Sequence, residues 1–418
     1  MVQEKRLLIG CVADDFTGAG DIASFLVANG IRTVLSNGLP AADMKFSEEF
    51  GAVVIALKSR TQETAQAVQD SLAAFDWLQE HGAQTLYFKY CSTFDSTPKG
   101  NIGPVIDAVL ERYEIPCTII CPSLLVNKRA VKDGILYVDG VPLAESHMKN
   151  HPLTPMWASD LCELMKEQGK YPCYKITHDL LGKPEEIRAR VAAYQQEQKH
   201  FYLAVDFFAP EQGQQIAQAF DGIRFMTGGS GLAAEIAHYW TKSGAVAAPD
   251  FGDYEETARL MFAGSCSVAT RGQVKTYLEA GGKGVMVSPA KLASGEQSIE
   301  SLWQFIQAHP QEDLLLYSAG SGGCVEQAGE QDAGRLEQTF AALAQRAAKA
   351  GCTRLISAGG ETSGAVTQAL GYDAFYIGEN VAPGVPVMVP IQNPHLRLVL
   401  KSGNFGAPDF FLKTLKES

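Results

Sequence analysis

The 418-residue sequence has no Cys-x-x-Cys pair, no apolar stretch long enough to span a bilayer and no excess of positive charge. Each absence removes a class of protein. Nine cysteines, an odd number with Cys117 and Cys121 as the nearest pair, argue against a disulfide framework and for reduced, mostly buried thiols. The opening MVQEKRLLIG loses its apolar run at once in "ADD", so no secretory signal is expected and the chain reads as cytoplasmic, with no membrane partner. A net charge of −12 excludes a non-specific nucleic-acid binder, which needs a basic footprint. It leaves room for a small anion, because a local group of Lys and Arg overrules the global sign. The signature GxxxxGK[ST] is missing as well, since no Gly-Lys pair is followed by Ser or Thr; a P-loop nucleotidase is excluded.

What is present is a globular composition, 46% hydrophobic and 20% charged, in a chain too long for one ordinary core. Short apolar runs alternate with helical patterns: RLLIGCVA, IRTVLS, AVVIAL, TLYFKY, TIICPS, FYLAVDF and GIRFMTG, then RLMFAG, KGVMVS, DLLLYSAG, RLISAGG and LRLVLK. That alternation predicts an α/β protein of two domains, each a mostly parallel sheet flanked by helices, with the active site in the interdomain cleft. The domains are expected at 1–245 and 255–418, with TKSGAVAAPDFGDYEET (241–257) as linker. The stretch 125–160 breaks the rhythm and reads as a small hairpin or flap followed by a proline-bounded loop.

In the first domain CVADDFTGAGD crowds Asp14, Asp15 and Asp21 around a glycine turn that enters a helix, with Gly30 able to take the left-handed C-cap. Such a turn normally seats an anion. Three acids would repel a triphosphate, but carboxylates accept hydrogen bonds from polyol hydroxyls and take a proton from an attacking alcohol. Capping needs fewer acids than three. Other strand ends supply cations, Lys58 and Arg60 in ALKSRT, Lys89 in YFKYCST and Lys99 in CSTFDSTPKGNIG, together with Asp95, Ser96 and Thr97. A crevice at converging strand ends with this mixture suits a small hydroxy or keto acid.

The second domain offers phosphate seats instead. RLISAGGETSGAV is strand, turn and helix with Thr362 and Ser363 at the helix start; RLMFAGSCSVAT repeats the form with Ser265 and Ser267; KSGNFG follows a strand and places Gly403 where a ligand can approach closely. Singly, each could be an ordinary capped turn; three in one domain point to a nucleotide. GSGLAA (229–234) matches G-x-G-x-x-A, the pattern of a dinucleotide site, yet the strand with its ribose-binding acid does not follow. An NAD-dependent sugar-acid oxidoreductase is therefore a distant alternative. His147 and His151 in ESHMKNH lie four apart but carry no HExxH pattern, and no metal-ligating residue is assigned.

Taken in order, ADDFTGAGD, KYCSTFDSTPKGNIG, TGGSGLA, AGSCSVAT, AGGETSGAV and LKSGNFG resemble the four-carbon acid sugar kinases over residues 8–415. The resemblance implies a sugar-acid-binding N-terminal domain, an ATP-binding C-terminal domain and transfer of the γ-phosphoryl group, with Mg²⁺, to the terminal hydroxyl of a tetronate. It makes Ser265, Gly359, Gly360, Glu361, Thr362 and Gly403 ATP-binding positions, with Ser267 beside them. On the substrate side it points to Asp14, Asp15, Arg60, Lys89, Asp95, Ser96 and Lys99, with Arg60 and Lys89 expected on the substrate carboxylate. Members acting on D-threonate or D-erythronate read closer to "VDSTLRGN"; "FDSTPKGN" here favours a 3-oxo acid, those two acids remaining the alternative. DDFTGAGD also resembles locally the D-T-x-G-A-G-D signature of ribokinase-like kinases, which makes Asp21, beside Asp15, a candidate catalytic base. The expected partners are the sugar acid and ATP, with no nucleic acid, and a homodimer is left open.

Overall fold

The computed structural model describes residues 7–41, 44, 50–151, 154–242, 254–318 and 330–416, without the side chains of 330–332. Most of the 241–257 stretch expected as linker, and the end of DLLLYSAG, lie outside the described residues. The chain divides into two compact units, Met1–Ala247 and Ala248–Ser418.

The first unit opens with β1 (Ile9–Ala13), α1 (Phe16–Ala28), β2 (Thr33–Asn37), β3 (Ala52–Ala56), α2 (Thr64–Glu80), β4 (Thr85–Lys89), α3 (Ile102–Arg112) and β5 (Cys117–Cys121). Three short strands follow, β6 (Arg129–Lys132), β7 (Ile135–Val138) and β8 (Val141–Pro142). The unit closes with α4 (Leu161–Lys166), β9 (Cys173–Ile176), α5 (Pro184–Glu197), β10 (Phe201–Val205), α6 (Pro210–Ala219), β11 (Phe225–Gly228) and α7 (Ser230–Thr241). Its main sheet runs β2-β3-β1-β4-β11-β5-β10-β9, and every pairing is parallel. The cause is legible in the strands: IGCVA, AVVIA, TLYFK and CTIIC are buried at every position, as a sheet covered on both faces requires. The 125–160 segment is a three-stranded antiparallel sheet, but it is not a loose flap. Val131, Leu136, Val138, Leu143, Met148 and Met156 belong to the unit's main hydrophobic cluster, and Val131 bridges to Phe207.

The second unit comprises β12 (Leu260–Ala263), α8 (Val268–Glu279), β13 (Lys283–Met286), α9 (Pro289–Ser294), α10 (Ile299–Gln307), β14 (Leu314–Tyr317), α11 (Glu330–Lys349), β15 (Arg354–Ala358) and α12 (Gly360–Leu370), then β16 (Ala374–Ala382), β17 (Val385–Pro390), β18 (Arg397–Lys401) and α13 (Phe410–Lys413). Its strand order is β13-β14-β12-β15-β18-β17-β16. The first five strands are parallel, whereas β17 runs antiparallel to both neighbours. The β16–β17 hairpin, α5 and β9 are additions to the elements expected from sequence. No described helix is long and apolar enough to cross a membrane.

Seven described cysteines are free, three buried and four partly so, but Cys266 is disulfide-bonded where reduced thiols were expected.

Candidate active site

In the first unit β1 lies between β3 and β4, and Ala13 stands in register with Ala56 and Lys89. The chain reverses its direction of growth here, so the residues just beyond these strand ends share one crevice. The backbone laces them together: Asp14 N–H donates to the Lys89 carbonyl, and Arg60 N–H to the Asp14 carbonyl. The expected glycine turn is shorter than the sequence suggests, because α1 begins at Phe16 and takes Gly18 and Gly20 into its first turns. Asp15 is the N-cap, its Oδ1 accepting from Gly18 N–H at 2.7 Å. A Cβ on Gly18 would stand 2.4 Å from that oxygen and 3.3 Å from Lys89 Nζ, so the glycine is what lets these charges close on the helix start. Gly30 has φ +93° just past the helix, as a left-handed C-cap requires.

Two ion networks result. Arg60 forks onto Asp14, Nε to Oδ2 at 2.9 Å and Nη2 to Oδ1 at 2.8 Å, while its Nη1 meets Asp15 Oδ2 at 2.9 Å. Burial pushes the Asp14 carboxyl up despite the Arg60 charge. Burial works against the guanidinium too, but Asp14 and Asp15 together hold it well above its usual value. Behind this pair Lys89 Nζ, 3% exposed as a side chain, lies 3.6 Å from Asp21 Oδ2 and donates to the Tyr90 carbonyl at 3.0 Å. Ser230 Oγ donates to the same Asp21 oxygen at 2.7 Å, and Asp21 Oδ1 is buried without a hydrogen-bond partner. Burial raises the Asp21 carboxyl against the pull of Lys89. It disfavours the Lys89 charge as well, yet Asp21, Asp14 and Asp15 more than offset that and keep the lysine an ammonium.

The 91–103 loop completes this site. Asp14, Arg60, Asp95, Ser96 and Asn101 line one narrow crevice, whereas Lys99 is exposed and outside its lining. Asn101 Nδ2 donates to the carbonyls of Ser59 and Gln62, pinning the Arg60 loop, and Gln168 Oε1 accepts from Ser96 Oγ and Gly103 N–H. Phe94, buried and stacked edge-on against Tyr90 at 5.4 Å, holds φ +50°, a left-handed conformation that costs a bulky residue about 1–3 kcal/mol. That strain marks the loop as shaped for its position.

In the second unit three strand-to-helix turns pack against one another. Gly264 N–H and Ser265 N–H donate to the Ala358 carbonyl, and Gly359 N–H donates to the Lys401 carbonyl. Gly359, at φ +127°, lets the second turn open directly into α12, with Gly360, Glu361 and Thr362 in its first turn. Gly403 is required by crowding, since a Cβ there would stand 2.2 Å from Ser265 Oγ. Ser267 caps α8 through Thr270 N–H and also donates to the Gly403 carbonyl at 2.5 Å; Thr270 Oγ1 reaches that carbonyl at 2.8 Å. Gln273 Nε2 holds the carbonyls of Phe405, Gly406 and Ala407. All seven positions expected for ATP therefore fall on three adjoining turns.

Other sequence features settle elsewhere. Gly229 and Gly231 of GSGLAA are glycines because backbone fills their Cβ positions, Pro122 O at 2.6 Å and Ser123 O at 2.5 Å. A turn already packed on the chain's own carbonyls leaves no cradle for a pyrophosphate. His151 Nδ1 bonds Thr154, and neither it nor His147 joins a metal-type cluster among the described residues. Asp133, His178 and Asp206 do converge, but Asp206 spends its two oxygens on Gly134 and His178 backbone N–H groups. Two cavities of about 380 and 320 Å³ lie at the opposite strand ends beside Ile115–Cys117 and Thr257–Leu260 and hold none of the expected site residues. Ser230, Gln168, Asn101, Thr270, Gln273 and Lys401 are the site residues that sequence reasoning did not single out. Four of them sit inside quoted motifs, which was the available signal.

Comparison with known proteins agrees with this division. A sugar-binding N-terminal domain model matches residues 9–236, and a nucleotide-binding C-terminal domain model matches 260–411. Curated proteins named 3-oxo-tetronate kinase from Brucella melitensis and Pectobacterium atrosepticum are 40% and 42% identical, covering 99% and 98% of this chain and 96% and 99% of theirs. A crystal structure of a Salmonella typhimurium LT2 protein is similar at TM-score 0.87 and 39% identity, covering 98% of both chains. One of a Haemophilus influenzae protein is similar at 0.79 and 38%, covering 96% of this chain and 98% of that one. A carboxylate-rich crevice in one unit, three glycine- and hydroxyl-bearing turns in the other and matches along nearly the whole chain lead to one conclusion: this chain belongs to the four-carbon acid sugar kinase family.

Proposed function

We propose that the protein transfers the γ-phosphoryl group of ATP to the 4-hydroxyl of 3-oxo-tetronate; its curated relatives bear the name 3-oxo-tetronate kinase. The observation that carries this reading is the chemical complementarity of the two sites. One gathers three aspartates with two cations; the other presents backbone N–H groups and hydroxyls at helix starts, with Glu361 its one carboxylate among the expected ATP positions. The first suits hydroxyl groups and a carboxylate, the second phosphates.

Asp15 serves as the proton acceptor in this reading. Its side chain is 31% exposed, whereas Asp21 is buried behind Lys89 and acts through it as a positioning residue. Arg60 uses three of its five N–H donors on Asp14 and Asp15 and keeps two for the substrate carboxylate. Lys89 contributes charge from underneath rather than as the direct contact first expected. Asp95 and Ser96 offer hydrogen bonds to the remaining oxygens, and Lys99 supplies an exposed cation at the rim. Phosphoryl transfer needs mainly in-line positioning and charge neutralisation, so an acceptor site held rigid by ion pairs is the appropriate design.

Mg²⁺ fits the second site, because Glu361 is an exposed carboxylate at the first turn of α12 with no ion pair among the described residues. When bound, the ion neutralises phosphate charge. The test is ADP release over a panel of tetronates and 3-oxo-tetronates, with the phosphate located by phosphorus NMR. Fastest release with the 3-oxo acid and phosphate on O4 is expected. Preference for D-threonate or D-erythronate would replace the substrate, and no ADP release from any member would overturn the reading.

A further inference from the structure

Two buried lysines end described strands, and their surroundings are opposite. Lys89 closes β4 among Asp14, Asp15 and Asp21. Lys401 closes β18 with no exposed surface and no acid. Its Nζ donates to Thr270 Oγ1 at 3.0 Å and to the carbonyls of Ser402 at 3.1 Å and Gly403 at 3.3 Å, and lies 5.6 Å from the Phe410 ring centre. The charged side chains on the elements around it are Arg271, Lys275 and Glu279 on α8, Glu361 on α12, Asp409 and Lys413 at α13, Arg354 on β15 and Arg397 on β18 itself. None forms an ion pair with it among the described residues, and β15 and β17 bring no acid. A buried amine normally has an anionic partner, and here the described residues supply none. A neutral amide would bond the same carbonyls without the cost of burying a charge.

The three oxygens locate the missing anion. Lys401, Ser267 and Thr270 all donate to the Gly403 carbonyl. The peptide bond that follows is trans, so fixing the carbonyl on one side fixes the Asn404 N–H on the other. We infer that Lys401 is a positioning residue of the nucleotide site: it fixes the Gly403 peptide and, with nucleotide bound, supplies positive charge beneath the turns on which the nucleotide phosphates rest. The inference rests on the ATP reading of those turns. Burial alone lowers the lysine to about 7, so the free protein holds the amine largely neutral above that pH and a bound polyanion restores its proton.

Calorimetric titration with ADP and Mg²⁺ at pH 8, in two buffers of different ionisation enthalpy, counts that proton. At this pH the terminal phosphate is already deprotonated, so it contributes no release. Wild type is expected to take up about 0.9 proton, and its Kd to rise about tenfold per pH unit above 7. Lys401→Met is expected to lose both the uptake and the pH slope and to bind ADP about tenfold more weakly at pH 7. The wild-type measurement needs no variant to fold. Tight ADP binding with neither uptake nor slope overturns the role of Lys401 while the nucleotide site stands. Failure of ADP and ATP to bind at all overturns the nucleotide reading, and this inference with it.

Discussion

At the residue scale the acids around β1 do three different jobs. Asp14 is locked to Arg60, Asp21 anchors Lys89, and Asp15 divides itself between a helix cap and the substrate side. Asp15→Asn keeps the cap, because the amide oxygen still accepts from Gly18, but removes the proton acceptor. Turnover is expected to fall 10²–10⁴-fold, the usual range for a general base, with KM for ATP changed less than about threefold. Steady-state kinetics check both numbers; unchanged turnover removes the assignment. Arg60→Met instead strands the buried Asp14 carboxylate. It is expected to destabilise the protein by about 3 kcal/mol, measured by urea unfolding, since removing one partner of a buried pair leaves the other uncompensated. Lys401 gives a pH signature of opposite sense to an ion-paired lysine. Its folded value of about 7 lies below the unfolded 10.5, so the unfolded chain binds more protons between those limits and stability rises with pH across them. The difference in unfolding free energy between wild type and Lys401→Met is expected to shift in favour of wild type from pH 7 to 9. A constant difference would show that Lys401 carries its charge throughout.

At the element scale the nucleotide turns depend on close packing of strand ends. Gly403→Ala places a methyl 2.2 Å from Ser265 Oγ, so the first and third turns must separate. A loss of ADP affinity of at least tenfold is expected, while binding of a tetronate to the first unit is retained; equal affinity would mean that these turns do not act together. The three-stranded sheet at 129–142 illustrates a different point. Its sequence looks like an appendage because the strands are short and joined by glycine turns, but its apolar face is part of the main cluster. Elements of this kind stabilise the strand ends that carry the site without touching ligand.

At the scale of the whole molecule the two units have separate cores, one built on Phe75, Phe88, Tyr90 and Phe225 and the other on Met261, Ile356, Val399 and Phe411. Each ligand should therefore stabilise its own unit. In hydrogen exchange a tetronate is expected to protect residues 57–62 and 89–103, and ADP to protect 264–270, 359–363 and 402–406. Protection of the reverse segments by either ligand would overturn the division of labour.

The sequence by itself determined the parallel α/β class, because strands buried on both faces leave continuous apolar runs. It also grouped the candidate residues of each unit, because strand-end turns keep glycines, acids and hydroxyls at fixed short spacings. It did not reveal the β16–β17 hairpin, where VPVMVP alternates with prolines and reads as loop, nor α5, whose polar PEEIRARVAAYQQE buries only Ile187. Tertiary structure alone decided which charges are compensated. Lys89 and Lys401 look alike in sequence, each closing an apolar strand before a turn, yet one meets aspartates from the end of β1 and the start of α1 and the other meets only hydroxyl and carbonyl oxygens. The free energy of a buried charge depends on neighbours within a few ångströms, and those neighbours, Asp21 at 68 positions from Lys89 and Thr270 at 131 from Lys401, are assembled by the fold and not by the order of residues.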